Sequence, residues 1–204
     1  MSLFITFEGG EGSGKTTIIQ LLEKELNNLG RKCVVTREPG GIDIAEQIRN
    51  VILNVNNTKM DARTEALLYA AARVQHLVEK ILPALDNDEI VLCDRYIDSS
   101  LVYQGLGRGL GIKNIESINM FACEHMPNLT IFLDCPPEIG FQRIRENNRE
   151  VNRLDLEKKD FHNMVYNGYK QISKMYPERI ITVDATKTLD DVFNSVLKLV
   201  KERL

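Results

Sequence analysis

Gly9, Gly14, Lys15 and Thr16 are spaced to hold a polyphosphate. A short apolar run, Phe4–Phe7, precedes them and helical periodicity follows from Thr16. This is the Gly-x4-Gly-Lys-Thr P-loop pattern between a strand and a helix. Gly10, Glu11, Gly12 and Ser13 fill the variable positions, and Thr17 follows. Glycines let successive backbone N–H groups turn inward into an anion nest. The start of the helix adds its positive dipole end. Lys15 is placed to reach the β- and γ-phosphates, and the Thr16 hydroxyl to ligate Mg²⁺.

Further candidates lie where strands end. Three apolar runs end in aspartates, Asp94, Asp134 and Asp184, and any of these could be the carboxylate that organises Mg²⁺. Asp94 is favoured because 89–93 is the most uniformly apolar run, the mark of a central parallel strand. Arg37 and Glu38 close the strand at 32–36, where open α/β sheets bind ligands, and Pro39-Gly40-Gly41 continues as a loop. Arg49 sits on a short helix at 44–53. The helical pattern at 61–85 has two faces. Leu67, Ala71, Val74, Val78, Ile81, Leu82 and Leu85 form a stripe expected to face the core. Tyr69, Arg73 and His76 fall opposite, as either a solvated face or a ring and a fork for a nucleobase. Beyond Asp94, residues Arg95, Ser99, Ser100, Tyr103 and Gln104 and four nearby glycines predict a flexible binding loop. Finally, Arg143, Arg145, Arg149 and Arg153 fall within eleven residues. With Glu146 and Glu150 interleaved they form either a solvated face or a lid whose arginines close on phosphates.

The elements that must position these groups alternate, five strands with helices, which predicts an α/β fold with a parallel sheet. The 204 residues, 43% hydrophobic and 27% charged, predict one domain, 1–204, with a mobile lid at about 143–155. A net charge of −3 argues against a nucleic-acid partner. No apolar run approaches the ~18 residues a membrane span needs, and no leader pattern opens the sequence, so a cytoplasmic location is expected. Cys33, Cys93, Cys123 and Cys135 are widely spaced and predict buried thiols rather than a metal or disulfide framework.

With these residues in view, the chain resembles the bacterial-type thymidylate kinases over nearly its whole length. FEGGEGSGKTT at 7–17, TREPGG at 36–41, YAAAR at 69–73 and the Asp94-Arg95-Tyr96…Tyr103-Gln104-Gly105 segment carry the resemblance. It implies a three-layer α/β/α P-loop kinase with strand order 2-3-1-4-5, a homodimer, and transfer of the ATP γ-phosphoryl group to dTMP with Mg²⁺, in dTTP synthesis. It further implies that Arg37, Arg49 and Arg95 hold the dTMP phosphate. Tyr69 would stack on thymine, Arg73 and Gln104 would bond its polar edge, and Ser100 would lie nearby. Tyr103 would crowd the sugar 2′ position. Glu38 and Asp94 would organise Mg²⁺ with Thr16. In the resembled family an arginine comes from the P-loop or from the lid; as this P-loop carries none, the resemblance implies that the lid would supply it, Arg149 first and Arg153 next, with Arg143 nearer the adenine. The competing expectations are a kinase for another small acceptor, and a nucleotide-switched binding protein. The latter is disfavoured because two strand-end loops and a helix face are given over to a second small-ligand pocket.

Overall fold

A computed structural model describes residues 2–146, 153–154 and 156–204. Five strands, β1 (Leu3–Glu8), β2 (Cys33–Arg37), β3 (Ile90–Asp94), β4 (Leu129–Asp134) and β5 (Ile180–Asp184), form one sheet of order β2-β3-β1-β4-β5. All neighbours are parallel, with Leu3 opposite Ile90 and Ile5 opposite Leu129. The expected sheet and order are therefore present. β1 and β3 are apolar on both faces because helices cover both. Leu3, Ile5 and Phe7 pack with α1 (Lys15–Asn28) and α10 (Leu189–Lys201). Phe4 turns to the other side, where Val91, Cys93 and Tyr96 meet α3 (Ala62–His76) and its continuation. Phe132 packs there with Val165, Tyr169 and Ile172 of α9 (Lys159–Met175).

α2 (Asp43–Leu53) packs against α3. The helix expected over 61–85 is interrupted: α3 passes into a π-helical turn at Leu77–Ile81 and then α4 (Leu82–Asp86). The expected assignment of its faces is inverted from Leu67 to Val78, whereas Ile81 is buried as expected with Leu82 and Leu85 packed beside it. Leu67 and Val78 are 56% and 59% exposed, whereas Glu65, Tyr69, Arg73 and His76 are buried. A hydrophobic wheel assumes that charge seeks water. Here the charge is paired inside, and Ala66, Ala70 and Ala72 supply the close approach. The segment expected to be a flexible loop is also different. It forms α5 (Ile97–Ser100) and a π-helical stretch, Leu101–Gly107, most of which is buried. The chain then runs through α6 (Ile112–Ile118) and α7 (Met120–Cys123), and α8 (Pro137–Glu146) follows β4. Cys93 and Cys135 are buried, Cys33 and Cys123 half-buried, and all four are free.

Candidate active site

The carboxyl ends of the strands open on one cleft of about 610 Å³. β1 delivers the P-loop to one end of it. Gly9, Gly12 and Gly14 have φ of 140°, 70° and 92°, conformations that side chains with a Cβ rarely adopt. At Gly12 a Cβ would stand 2.1 Å from the Gly140 carbonyl oxygen, so the loop lies directly against α8. Lys15 Nζ donates to the carbonyls of Gly9 at 3.2 Å and Gly10 at 3.1 Å, and to Ser13 Oγ at 3.4 Å. The amine therefore stands over the cradle among dipoles. Burial, with Arg95 nearby, pushes it below its ordinary pKa, against the carboxylates of Asp94, Glu11 and Glu8.

Thr16 Oγ1 lies 3.4 Å from Asp94 Oδ2. The other strand-end aspartates are elsewhere engaged: Asp134 faces Lys170, and Asp184 binds Thr186. Of the three candidates, Asp94 alone shares the cleft with the P-loop. One hydroxyl and one carboxylate converging here suit Mg²⁺, which keeps several waters and takes its remaining ligands from substrate phosphates. Among the described residues no group of three or more His, Cys, Asp or Glu forms a metal cage.

The opposite end is built from side chains. Glu38 follows β2 and is buried, accepting from Arg73 Nε at 2.7 Å and meeting His76 Nδ1 at 3.1 Å. Arg73 also donates to Asn119 Oδ1 at 2.6 Å, the Tyr96 carbonyl at 3.2 Å and Ser100 Oγ at 3.0 Å. Ser100 thus acts through Arg73, while Ser99 lines the cleft. Gln104 and Tyr69 line the same end, Tyr69 with its hydroxyl pKa raised by burial and by Glu65. Tyr103 Oη reaches Glu11 at 3.4 Å. Arg95, at φ 70°, donates to Glu11 at 2.7 Å, Tyr169 Oη at 2.9 Å and Ser99 Oγ at 3.2 Å. Arg49 donates to the Pro39 carbonyl at 2.8 Å, and burial and Arg37 lower its pKa. Arg37 is half-exposed on Glu46. Arg37, Arg49 and Arg95 all border the cleft.

The four lid arginines separate. Arg143 lines the cleft and donates to the Ala185 carbonyl at 2.9 Å, near Lys187. Arg145 ends α8 without lining the cleft. Arg149 lies outside the described residues. Arg153 is buried, donating to Glu65 at 2.6 Å and the Ile52 carbonyl at 2.7 Å.

Sequence reasoning missed several groups here. Glu8, fully buried, accepts from the Tyr96 and Ser99 amides at 2.8 and 3.2 Å, from Ser99 Oγ at 2.6 Å and from Tyr169 Oη at 2.8 Å. Burial and Asp98 push Glu8 up to about 7, against Arg95 and its hydrogen bonds. Glu65 and Gly140 were missed as well. Glu8 carried one signal, a carboxylate ending an otherwise apolar run. Glu65, Tyr169 and Gly140 carried none, since their partners are remote in sequence.

The family model described as thymidylate kinase matches residues 7–196. The chain is 59% identical over 201 residues to the thymidylate kinase of Anoxybacillus flavithermus, covering 98% of this chain and 96% of that one. It is 54% identical to that of Clostridium novyi, covering 97% and 98%. Among solved structures, the crystal structure of thymidylate kinase from Ehrlichia chaffeensis superposes with a TM-score of 0.79 at 32% identity, covering 98% of each chain.

Proposed function

From the premise that the chain belongs to the thymidylate kinase family, we propose how its cleft carries out that chemistry. The enzyme transfers the γ-phosphoryl group of ATP to dTMP, giving dTDP and ADP. The observation that carries this reading is the single cleft, with a P-loop at one end and the Tyr69, Arg73 and Gln104 cluster at the other. A phosphate-binding cradle alone would serve many proteins; a second buried, polar pocket in line with it serves an acceptor.

Phosphoryl transfer needs positioning and charge neutralisation more than covalent help. The P-loop amides from Gly9 to Thr17 and Lys15 bind the β- and γ-phosphates, and Arg143 lies toward the adenine. Arg37, Arg49 and Arg95 hold the dTMP phosphate, and the acceptor oxygen, already ionised, needs no strong base. Tyr69 gives the base a flat ring, Arg73 and Gln104 give it polar partners, with Ser100 behind Arg73, and Tyr103 crowds the sugar. Thr16 and Asp94, with Glu38 nearby, would hold Mg²⁺, which would supply charge neutralisation for the transferring phosphoryl group. The lid expected at about 143–155, of which 147–152 and 155 lie outside the described residues, would cover the phosphates and exclude water as a competing acceptor. Because Arg153 is committed to Glu65, Arg149 is the better candidate for the lid arginine at the phosphates. Arg149→Ala should cut kcat by ~10³-fold, the range for such arginines, with dTMP affinity nearly unchanged. A kcat near wild type removes Arg149 from the mechanism.

A homodimer is supported by exposed apolar residues, Leu67 and Ala71 on α3 and Val78 on the π-helical turn after it, with Ile44 and Val51 exposed on α2, which packs against α3. Leu67→Glu should turn a dimer into a monomer in sedimentation; a wild-type monomer at micromolar concentration defeats the idea. Among the described residues no helix is long and apolar enough to cross a membrane, in keeping with a cytoplasmic enzyme. ATP-dependent ADP release against dTMP, dUMP, dCMP, dGMP and thymidine tests the central claim. dTMP should lead, and preference for dCMP or thymidine overturns it.

A further inference from the structure

Glu65, in the first turn of α3, does not line the cleft and is buried, its side chain only 1% exposed. Its Oε1 accepts from Gln104 Nε2 at 2.9 Å and Arg108 Nε at 3.3 Å. Its Oε2 accepts from Arg108 at 3.1 Å and Arg153 at 2.6 Å. Burial alone would raise its pKa, but Arg108, Gln104 and Arg153 outweigh burial and leave it below the ordinary carboxylate value. An ionised carboxylate only accepts. Gln104 must therefore turn its amide nitrogen to Glu65, spending one of its two hydrogens there and fixing the amide oxygen on the side away from Glu65.

Arg73 is fixed in a complementary way. Four of its five N–H bonds are committed, one each to Glu38 and Asn119 and two to Tyr96 and Ser100, which leaves one NH1 hydrogen. The cleft end thus holds an oriented acceptor and an oriented donor. Thymine presents the matching edge, N3–H beside O4. Cytosine presents the reverse, an unprotonated N3 beside an amino group.

We infer that Glu65 is a specificity-determining residue: by fixing the Gln104 amide nitrogen, it leaves Gln104 Oε1 as an obligate acceptor for a base N3–H, admitting thymine and rejecting cytosine. The inference rests on the acceptor reading above, in which Gln104 meets the base. Glu65 itself touches no substrate and acts through Gln104.

The test is the ratio of kcat/KM for dTMP to that for dCMP. In Glu65→Gln the new amide can accept from Gln104 or donate to it, so Gln104 is free to turn over. The ratio should fall by about tenfold or more, the scale of one wrongly oriented buried polar group. Glu65→Asp keeps an acceptor-only group, and Arg108→Lys leaves the Glu65 carboxylate in place. Both should lower the two rates together and keep the ratio. Should Glu65→Gln fail to fold, ¹⁵N side-chain NMR of the wild-type protein decides. The Gln104 amide protons should exchange slowly and keep their shifts when dTMP binds. A Glu65→Gln enzyme that loses both activities equally, or Gln104 amide protons that move on dTMP binding, overturns the inference alone. A wild-type enzyme indifferent to the base overturns the functional reading itself, and the inference with it.

Discussion

The two ends of the cleft are built on opposite principles. At the donor end the phosphate-facing groups come from one run, Glu11 to Thr17, with Arg143 of α8 beside it, and most of the work falls to the backbone. At the acceptor end they come from β2, α2, α3 and the segment after β3, and Arg73, Arg95 and Gln104 are side chains aimed by other side chains. The donor end needs few tertiary partners beyond the close approach of α8. The acceptor end exists only once Glu38 has met Arg73 and Glu65 has met Gln104. Local construction puts function at risk without stability, and remote construction ties the two together.

The largest test of that contrast is Lys15→Ala. Loss of one preorganised charge on the transferring group should lower kcat by ~10²–10³-fold. Stability should hold or rise, because Lys15 is a buried cation whose hydrogen bonds go to the Gly9 and Gly10 carbonyls and Ser13 Oγ, and burial disfavours its charge more than Asp94, Glu11 and Glu8 favour it. A large fall in Tm would break the contrast. Glu38→Gln should do the reverse. The amide can still accept from Arg73 and can face His76 through a change of ring tautomer, so the hydrogen bonds survive. What is lost is the charge opposite a guanidinium that is 1% exposed. Stripping one partner from a buried ion pair costs about 3–5 kcal/mol. Thermal unfolding should show that loss, with a rise in KM for dTMP and little change for ATP. An unchanged Tm would mean that the acceptor end is not held by its ion pairs.

The same contrast explains what could be read before the fold was known. Strands, the parallel sheet and the nucleotide cradle follow from local pattern: apolar runs, glycines at fixed spacing, a helix start; the strand order came only with the family resemblance. Asp94 was favoured over Asp134 and Asp184 because the apolar run before it marked a central strand, and that strand is next to β1. The α3 faces could not be assigned that way. Arg73 and His76 look like a solvated side until Glu38, 35 residues from Arg73 and 38 from His76, is brought against them. Arg153 looked like one more lid cation, and Glu65 is 88 residues away from it. Periodicity measures the preference of single residues for water. It is blind to pairs whose attraction outweighs that preference.

The cradle has one tertiary dependence, and Gly140→Ala isolates it. Gly140 lies in helix, so alanine is tolerated by its backbone, but the new Cβ would stand 2.1 Å from the Glu11 carbonyl oxygen. α8 must move off the P-loop, costing about 1–3 kcal/mol, the scale of overpacking. The expected result is a lower Tm with a raised KM for ATP and an unchanged dissociation constant for dTMP. An effect on dTMP instead would show that α8 serves the acceptor end.

Glu8 sits at the seam, ending β1 while holding the Tyr96 and Ser99 amides. The groups facing it are Asp98, whose charge opposes its ionisation, and Arg95, which favours it, with Ser99 and Tyr169 between Glu8 and Arg95. Arg179, in the turn before β5, pairs with Asp98. The folded pKa of Glu8, about 7, lies above the 4.5 of a free glutamate side chain. Between those values the unfolded chain releases its proton first, so the native state binds more protons and stability must fall as pH rises. The stability that Glu8 contributes is whole below about pH 4.5 and lost as pH climbs through about 7, with a slope of at most ~1.4 kcal/mol per pH unit. Urea unfolding of wild type and Glu8→Gln across pH 4.5–8 measures this. The wild-type curve should decline relative to the variant through that window and run parallel above it. Parallel curves throughout would mean that the four donors around Glu8 keep it ionised in the folded state. The seam would then be held by a permanent charge, as the acceptor end is.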